Sequence, residues 1–404
     1  MKKLNKILSG ILVSIMALTL AACGENSNVK EPSNQGSSQT TAPTETKGSS
    51  WLKKAALDAE DSTDKLYEEA KKEGKVVVYS MSSRIKDIKA SFEKKYPGVE
   101  LEGYDMRMAE IFEKVQRENE AGIYNADLVF VKDSDGAVYN EFMKTGILHN
   151  YIPKDIGDKI KQKAFKDPQF SAFFEMKQIF YNNEVNKTSP IDSWWDLTRR
   201  EYKGRVMIAN PASTAENMGL FLAMIQNANE MAAAYKEEFG EDIKLDGTEN
   251  AGYEFIKRLV ANDLILTTSD GDIIKAIGAK GQTNPPVGIA TSSKIRERKN
   301  GLYIDVVKNL KPRDGVMAPA MTLIVDRAPH VNAAKLLIRF MAAEADGKGE
   351  GFDPFKVEGS WPTRSDMTPV GSQTLDSLKL WNLDLDFDYN NKTKLNNFWL
   401  SIQK

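Results

Sequence analysis

The segment from Lys75 to Ile85 constrains the fold more than any other part of the sequence. It reads KVVVYSMSSRI, an apolar β-branched run that stops at small hydroxyl residues just before a helical pattern. Ile88 and Phe92 continue that pattern at helical spacing, and Pro97-Gly98 ends it before another apolar run. A strand, a tight loop and a helix open a βαβ unit. Because ligands bind at the carboxyl ends of such strands, where the first helix amides are unpaired, we expect a small ligand at this loop.

Strand and helix patterns alternate through the rest of the chain. Strands are predicted at Val99–Tyr104, Asp127–Val131, Phe173–Tyr181, Arg205–Ala209, Val287–Ala290 and Met317–Val325. Helices are predicted up to Lys72 with Gly74 as the stop, at Met108–Ala121, Asp135–Lys144, Ala215–Gln226 and Gly252–Asn262, and from Val331 to Phe340. Asp384, Asp386 and Asp388 alternate with apolar residues, which predicts a one-sided extended segment rather than a metal site. The alternation predicts an α/β fold with a mostly parallel sheet.

The amino terminus has the pattern of an export signal. Lys2, Lys3 and Lys6 precede an apolar segment, residues 7–20, that is too short to span a bilayer comfortably. It ends in LAAC, which resembles the lipobox of bacterial lipoproteins, and Cys23 is the only cysteine. The resemblance implies a lipoprotein signal peptide at residues 1–22 and a lipidated Cys23 that anchors an exported protein to the outer face of a bacterial cytoplasmic membrane. The alternative is an unpaired thiol near a cleavage site. Residues 23–50 are polar and predict a flexible tether.

Composition and motifs exclude several function classes. With 404 residues, 55 Lys plus Arg against 57 Asp plus Glu and 41% apolar residues, the chain can form two domains, and its near-neutral charge argues against a nucleic-acid binder. The two histidines, His149 and His330, lie in loop contexts, and no nucleophile elbow, phosphate-binding loop or zinc-protease motif occurs. We therefore expect no enzyme and no cofactor.

Eight short motifs, in order, resemble the iron(III)-type extracellular solute-binding proteins of ABC importers. They are EGKVVVYS at 73–80, FEKKYPGV at 92–99, ADL at 126–128, GIL at 146–148, FYN at 180–182, KG at 203–204, NP at 210–211 and AAK at 333–335. The resemblance implies a periplasmic-binding protein type 2 fold: two lobes with a ligand cleft between them, joined by strands crossing near residues 180–183 and 315–322. It divides the body into residues 51–180 (first lobe), 181–315 (second lobe) and 316–404 (return to the first lobe and C-terminal tail). It also implies a monomer that works with an ABC permease and ATPase.

Three segments are expected to face this cleft. The candidate ligand-binding residues are Ser82, Ser83 and Arg84 in the first loop; Lys132 and Asp133 at the end of a strand; and Ser213, Thr214, Thr291, Ser292, Ser293 and Lys294 in the second lobe. Each has a simpler alternative: a serine before a helix is often an N-cap, a strand-end lysine is often solvated, and Ser213 with Glu216 fits a capping box. Trp194 and Trp195 could stack on a ligand but fit a buried core better.

The chain departs from the iron-binding members of this family. Those members usually present a histidine, a glutamate and two adjacent tyrosines, whereas this chain has Ser83, Lys132, Ser292 and Ser293 at the corresponding spacing. Ferric iron prefers anionic oxygen ligands, and a lysine repels it, so no metal site is expected. Arg84, Lys132 and Lys294 suit an anion instead.

We therefore expect a surface-anchored solute-binding component of an ABC importer that captures a small anionic solute, such as an organophosphate or phosphonate. Two alternatives stay open at this point: a protein that binds ferric iron or an iron chelate, and a sensor that presents its ligand to a receptor kinase.

Overall fold

A computed structural model describes residues 47–403. The helices are α1 (Lys47–Ala55), α2 (Thr63–Glu73), α3 (Ile85–Lys95), α4 (Met108–Ala121), α5 (Lys154–Gly157), α6 (Ala215–Gln226), α7 (Ala228–Phe239), α8 (Ala251–Ala261), α9 (Asp270–Gly278), α10 (Val331–Met341) and α11 (Leu385–Ile402). The strands are β1 (Lys75–Ser80), β2 (Glu100–Asp105), β3 (Leu128–Lys132), β4 (Leu148–His149), β5 (Ser171–Asn182), β6 (Val206–Ala209), β7 (Ile265–Thr267), β8 (Val287–Thr291), β9 (Ile304–Val306), β10 (Gly315–Val325), β11 (Trp361–Pro362) and β12 (Leu380–Trp381). None of these helices is both long enough and apolar enough to cross a bilayer.

Three predictions fall wholly or mainly outside the described residues. They are the signal peptide at residues 1–22, the lipidated Cys23 and most of the tether. The last four residues assigned to the tether, 47–50, belong to α1.

The opening strand, loop and helix form as the sequence predicts. Ser62 caps α2 by accepting a hydrogen bond from the Lys65 amide (3.2 Å), and Gly74 ends that helix with φ 79°, a value that favours glycine. β1 then runs directly into the loop before α3, which buries Ile85, Ile88 and Phe92. The predicted βαβ unit is confirmed because β1 and β2 pair in parallel.

The sheet combines parallel outer strands with antiparallel central ones. Its strand order is β2-β1-β3-β10-β5-β8-β6-β7. β1, β2 and β3 run parallel, as do β6, β7 and β8, but β10 is antiparallel to both β3 and β5, and β5 is antiparallel to β8. The expected mostly parallel sheet is therefore wrong at the centre, where two long strands connect the halves.

β5 divides the sheet into two lobes. Its residues up to Met176 pair with β10, and its residues from Lys177 onward pair with β8. We call the part built on β1–β4, β10 and the start of β5 the first lobe, and the part built on the end of β5 and β6–β9 the second lobe. β5 changes its pairing partner between Met176 and Lys177, a few residues before the crossing predicted at residues 180–183. The other predicted segment, 315–322, contains the residues of β10 that pair with β5.

Each lobe carries apolar cores on its sheet. In the first lobe, Phe92, Phe130 and Phe340 belong to one core, whereas Ile111 and Val129 belong to another. In the second lobe, the two adjacent tryptophans are fully buried, and their indole N–H groups donate to the Arg313 and Met231 carbonyls (2.9 and 2.8 Å). Trp194 and Trp195 are thus core residues, as the simpler interpretation predicts.

The last helix differs from its prediction. Residues 385–402 form α11 rather than an extended segment, because Asp384 accepts a hydrogen bond from the Phe387 amide (3.0 Å) and caps a helix. α11 packs on α6 and α8, and its Leu395 and Trp399 enter the core of the second lobe. Its first turn also touches the first lobe, where a Cβ on Gly136 would lie 2.0 Å from the Leu385 carbonyl oxygen. The boundaries predicted for the lobes stay a prediction.

A second close approach lies between the lobes. In α6, Gly219 packs so tightly on the loop after β3 that a Cβ would lie 2.1 Å from the Ser134 carbonyl oxygen. Only glycine fits there without moving backbone, so the loop and the helix are in direct contact.

Asp388 is a buried acid at the contact between α11 and the first lobe. Its pKa is raised to about 8, first by burial and then by the charges of Asp384, Asp135 and Asp133. An aspartate in an unfolded chain has a pKa of about 3.9. Between this pKa and the raised pKa of the folded protein, the folded chain holds a proton on Asp388 that the unfolded chain has lost. The free energy of unfolding therefore decreases as pH rises through this interval.

We predict that the free energy of unfolding of Asp388→Asn relative to wild type is higher at about pH 8 than at about pH 5. The increase should exceed about 1.4 kcal/mol, the equivalent of one pKa unit. Urea unfolding at both pH values measures this. Asp386→Asn is the matched control, because this neighbouring carboxylate in α11 is largely exposed and pairs with Lys144 at the surface. Equal pH slopes for Asp388→Asn and wild type would contradict the prediction.

Candidate functional site

A cleft of about 1730 Å³ lies between the lobes. Its lining comes from the carboxyl ends of six strands: Met81–Arg84 after β1, Asp105–Glu110 after β2, Lys132 in β3, Asn210–Glu216 after β6, Leu266–Ser269 around the end of β7, and Thr291, Ser293, Lys294 and Arg296 after β8. Glu175 of β5 and Phe355 complete the floor. The sequence argument that strand ends mark the ligand site is consistent with this arrangement.

The first loop is a tight turn held by serines. The Ser80 hydroxyl donates to the Ser82 carbonyl (2.9 Å) and accepts from the Ser82 amide (3.1 Å). Ser82 Oγ then accepts from the Arg84 amide (3.4 Å), and Ser83 is exposed to the cleft. The Arg84 guanidinium lies 5.3 Å from the Phe355 ring centre and 3.7 Å from Glu175 Oε1. All three predicted residues of this loop line the cleft.

A chain of ion pairs forms the cleft floor and crosses between the lobes. Lys132 Nζ lies 2.8 Å from Glu175 Oε2 and 2.7 Å from Glu216 Oε1, in the first turn of α6. Glu216 Oε2 lies 3.8 Å from Lys177 Nζ. Lys177 lies 2.8 Å from Asp270, at the start of α9, and Asp270 also accepts hydrogen bonds from the Thr291 amide and hydroxyl (2.8 and 2.6 Å). With Arg84 at one end, three cations alternate with three carboxylates. We call this set the ion-pair chain; its members in order are Arg84, Glu175, Lys132, Glu216, Lys177 and Asp270.

Mutual neutralisation keeps the ion-pair chain charged despite its burial. Burial alone would raise the pKa of Glu175, but the charges of Lys132 and Arg84 lower it to about 2. Burial likewise opposes ionisation of Asp270, yet Lys177 lowers its pKa to about 2. Burial disfavours the charged form of Lys132, and the two adjoining glutamates outweigh that effect and raise its pKa. All three groups are therefore ionised at neutral pH.

Lys132 is the main correction to the predicted site. It lines the cleft as expected, but it is only 5% exposed and its charge is already satisfied by two carboxylates. The partners lie 43 and 84 residues further along the chain, and no local pattern could have shown them. The simpler alternative, a solvated strand-end lysine, is therefore wrong, and Lys132 forms ion pairs that connect the lobes.

Two other predicted residues do not reach the cleft. The Asp133 carboxylate is buried and accepts hydrogen bonds from the Val138 and Tyr139 amides and from Gln169. The Ser292 hydroxyl accepts from the Met176 amide (3.1 Å) and donates to the Gly359 carbonyl. Both side chains therefore hold loops in place, because their polar atoms face backbone groups that need partners.

The predicted capping box at Ser213 does not form. Thr214 is the N-cap of α6, with no side-chain hydrogen bond to the helix, and the Ser213 hydroxyl donates to the Asn210 carbonyl (3.1 Å). Glu216 is drawn away by Lys132 instead. Ser213 and Thr214 both line the cleft, as predicted.

Lys294 has no carboxylate within ion-pair distance among the described residues, and Asp270, Glu297 and Glu175 act on its charge only from further away. Burial and the nearby charge of Arg296 lower the pKa of Lys294. Arg296 donates to the carbonyl and hydroxyl of Ser293 (2.8 and 3.1 Å), and with Thr291 these residues form the side of the cleft after β8.

Sequence reasoning missed Glu175, Glu216 as an ion-pair partner, and Arg296. A signal for Glu175 was available, because it is a lone carboxylate inside an apolar strand pattern, and such a charge is seldom buried without a partner.

We predict that Lys132→Met destabilises the protein by about 3–5 kcal/mol, because it leaves the buried carboxylates of Glu175 and Glu216 with only their longer contacts to Arg84 and Lys177 (3.7 and 3.8 Å). Adding Glu175→Gln and Glu216→Gln should restore part of that loss. Chemical denaturation measures both. Lys144→Met, which breaks an exposed ion pair with Asp386, is the control and should change the free energy of unfolding by less than about 0.5 kcal/mol. A small loss for Lys132→Met would show that the ion-pair chain does not stabilise the fold.

Comparison with known proteins identifies the family. Residues 125–348 match the profile of the bacterial extracellular solute-binding protein family. No curated protein matched the sequence. Solved structures share the fold: an apo ferric ion-binding protein A from Pasteurella haemolytica (TM-score 0.62, 18% identity, 81% of this chain and 98% of that one) and AfuA from Actinobacillus pleuropneumoniae with fructose-6-phosphate bound (0.60, 21%, 81% and 98%). A Trichodesmium protein in complex with iron and citrate is similar too (0.58, 17%, 81% and 99%). The predicted family and two-lobe fold are confirmed: this chain belongs to the bacterial extracellular solute-binding proteins that serve ABC importers.

Proposed function

We propose that this protein captures a small anionic solute in the cleft between its lobes and delivers it to an ABC permease and its ATPase. The observation that carries the proposal is Lys294, a partly buried ammonium group that lines the cleft without a carboxylate partner among the described residues. A bound anion would supply that partner.

The charge balance of the floor supports an anion. The ion-pair chain has as many carboxylates as cations and adds no net charge. On the second-lobe side Lys294 then has no ion pair among the described residues, and Arg296 has within that part of the chain only a distant one, with Glu297 (3.7 Å). An anion between them would relieve their mutual repulsion and form charge-assisted hydrogen bonds.

Hydroxyl groups extend this site toward a phosphate or phosphonate. Ser293 lies beside Arg296, while Ser83 and Thr214 face the same cleft from the two lobes at the starts of α3 and α6. The partial positive charge at the start of a helix favours anionic oxygens. AfuA, which shares the fold and was solved with fructose-6-phosphate bound, provides a precedent for such a ligand in this architecture.

Free ferric iron suits the cleft less well. In the described part of the chain, the cleft lining includes neither histidine nor tyrosine, and the nearest carboxylates at the floor are already paired with lysines. An anionic iron chelate remains chemically compatible, and the Trichodesmium relative was solved with iron and citrate.

Absorbance titration with ferric citrate separates the two metal cases. We expect no tyrosinate-to-iron charge-transfer band, because no described tyrosine lines the cleft. Saturable binding without that band would indicate uptake of the intact chelate, and a strong band would contradict the proposal.

The proposal includes a membrane anchor. The LAAC sequence supports lipidation of Cys23, and two or more acyl chains hold a protein stably on a membrane where one chain does not. Lipid labelling of wild type and Cys23→Ser in cells would test it.

We predict that Lys294→Ala weakens anion binding about 10-fold to 100-fold, the equivalent of a charge-assisted hydrogen bond of about 1.5–3 kcal/mol. Native mass spectrometry of protein purified without refolding identifies any retained solute, and calorimetry with that solute or with fructose 6-phosphate measures the affinities. Lys294 and Lys299 both lie on the short 3₁₀ helix Ser292–Asn300 that follows β8. Lys299→Ala is the matched control, since this lysine is exposed and does not line the cleft.

The same variant also makes a prediction for the stability of the ligand-free protein. Because burial lowers the pKa of Lys294, its charged form is disfavoured in the folded state, and Lys294→Ala should not reduce stability without ligand. Unchanged affinity in Lys294→Ala would remove the basis for an anion at this position.

A further inference from the structure

The cleft lining combines charged groups with large apolar side chains. Lys132, Glu175 and Lys177 lie in the middle strands β3 and β5 and Lys294 follows β8, whereas Arg84 follows β1 and Asp270 follows β7. The two edge strands are β2 on one side and β7 on the other. Because strand order sets distance from the crossing strands, residues after β2 and in β7 lie at the mouth.

Large apolar side chains line the mouth on the first-lobe side, where they alternate with the exposed charged residues Asp105, Arg107 and Glu110. Met106 and Met108 follow β2, and Phe112 lies one helical turn further along α4. All three are partly buried and pack on the apolar core formed by Ile111 and Val129, so their inner surfaces are fixed while their outer surfaces face the cleft. Phe112 is further held by Phe142, with ring centres 5.1 Å apart.

This apolar surface is continuous with the first loop of the ionic site. The Met106 amide donates to the Ser80 carbonyl (2.8 Å), which places the loop after β2 beside the loop after β1. Met81, in that neighbouring loop, packs on the same core and also lines the cleft. Ser82, Ser83 and Arg84 follow Met81 and line the same cleft, so one loop carries both the methionine and the arginine.

The opposite edge strand is apolar too. Leu266 in β7 is 36% exposed and lines the cleft from the second lobe, beside Thr267, Thr268 and Ser269. When the lobes approach, two apolar edges therefore flank whatever the ionic floor holds.

We infer that the solute is an organic anion with an apolar body, whose charged group meets Lys294 and Arg84 while its apolar part contacts the methionine wall formed by Met81, Met106 and Met108. This inference rests on the proposed anion function and narrows its ligand class. It disfavours bare inorganic anions, because they have no apolar part to contact the methionine wall. It also disfavours fully hydroxylated sugar phosphates, because their hydroxyl groups would be buried without partners against thioether and phenyl surfaces. Methionine suits this role because its flexible, polarisable side chain adapts to apolar groups of varied shape.

Calorimetry with matched probes tests the inference on the purified protein. The probes are phenyl phosphate, inorganic phosphate, fructose 6-phosphate and neutral benzyl alcohol. We expect phenyl phosphate to bind at least about 10-fold more tightly than inorganic phosphate, since even one methylene in an apolar pocket can change affinity by that factor. It should also bind more tightly than fructose 6-phosphate.

Two variants separate the methionine wall from general stability. Met106→Gln combined with Met108→Gln should reduce phenyl phosphate affinity by about 3-fold to 10-fold and leave inorganic phosphate affinity unchanged, because only the apolar contact is lost. Met143→Gln is the matched control: this methionine packs on the same core but does not line the cleft.

The outcomes separate the apolar inference from the proposed anion function. Equal affinities for phenyl phosphate, inorganic phosphate and fructose 6-phosphate, or no effect of the double variant, would overturn the apolar inference and leave the anion function standing. Binding of benzyl alcohol with no binding of any phosphate would overturn the anion function itself. Failure of all four probes would count against both.

Discussion

The ammonium group of Lys132, held between carboxylates from both lobes, is the interaction on which the cleft depends. Glu175 belongs to a strand that crosses between the lobes, and Glu216 opens a helix of the second lobe. Burying three charges is favourable only when each is close to its opposite, since an unpaired buried charge costs several kcal/mol. The ion-pair chain therefore couples the relative position of the lobes to the electrostatic balance of the floor, and a displacement that separates either pair exposes charges to a poorly solvated space.

Solved structures that share this fold include a ferric ion-binding protein and a protein with fructose-6-phosphate bound. A fold does not fix the ligand by itself, because the side chains that line the cleft decide the charge of the site. Here a lysine at the end of β3 takes up the carboxylates that a cation would need. After β8, burial and Arg296 disfavour the charged form of Lys294, and no described carboxylate lies within ion-pair distance of it. Under the proposed function, this is the charge that a bound anion would neutralise.

Much of the fold could be predicted from local patterns, and the site only in part. The strands around Val77 and Val129 and the helix around Ile88 follow from apolar spacing, which the burial of one face enforces over short distances. Helix α11 was misjudged because seven alternating residues resemble a strand, although Asp384 before an aromatic run was a usable N-cap signal. Lys132 lines the cleft, and its role in ligand binding stays a prediction, but its ion pairs with Glu175 and Glu216 could not be predicted. Its partners are fixed by tertiary structure across tens of residues, and a single sequence carries no record of such pairings.

The contact between Gly219 and the Ser134 carbonyl has a mechanical consequence. Backbone touches backbone there, with no side chain between them to yield, and the contact lies beside the crossing strands at the inner end of the cleft. It has the properties of a fulcrum. Rotation of one lobe about this point leaves the inner end nearly stationary, while displacement grows in proportion to distance and is greatest at the edge strands β2 and β7. The same small angle that barely alters the spacing of Lys132 and Glu216 would therefore carry Met106 and Leu266 furthest, so the rim of the cleft amplifies movements that its inner end scarcely registers.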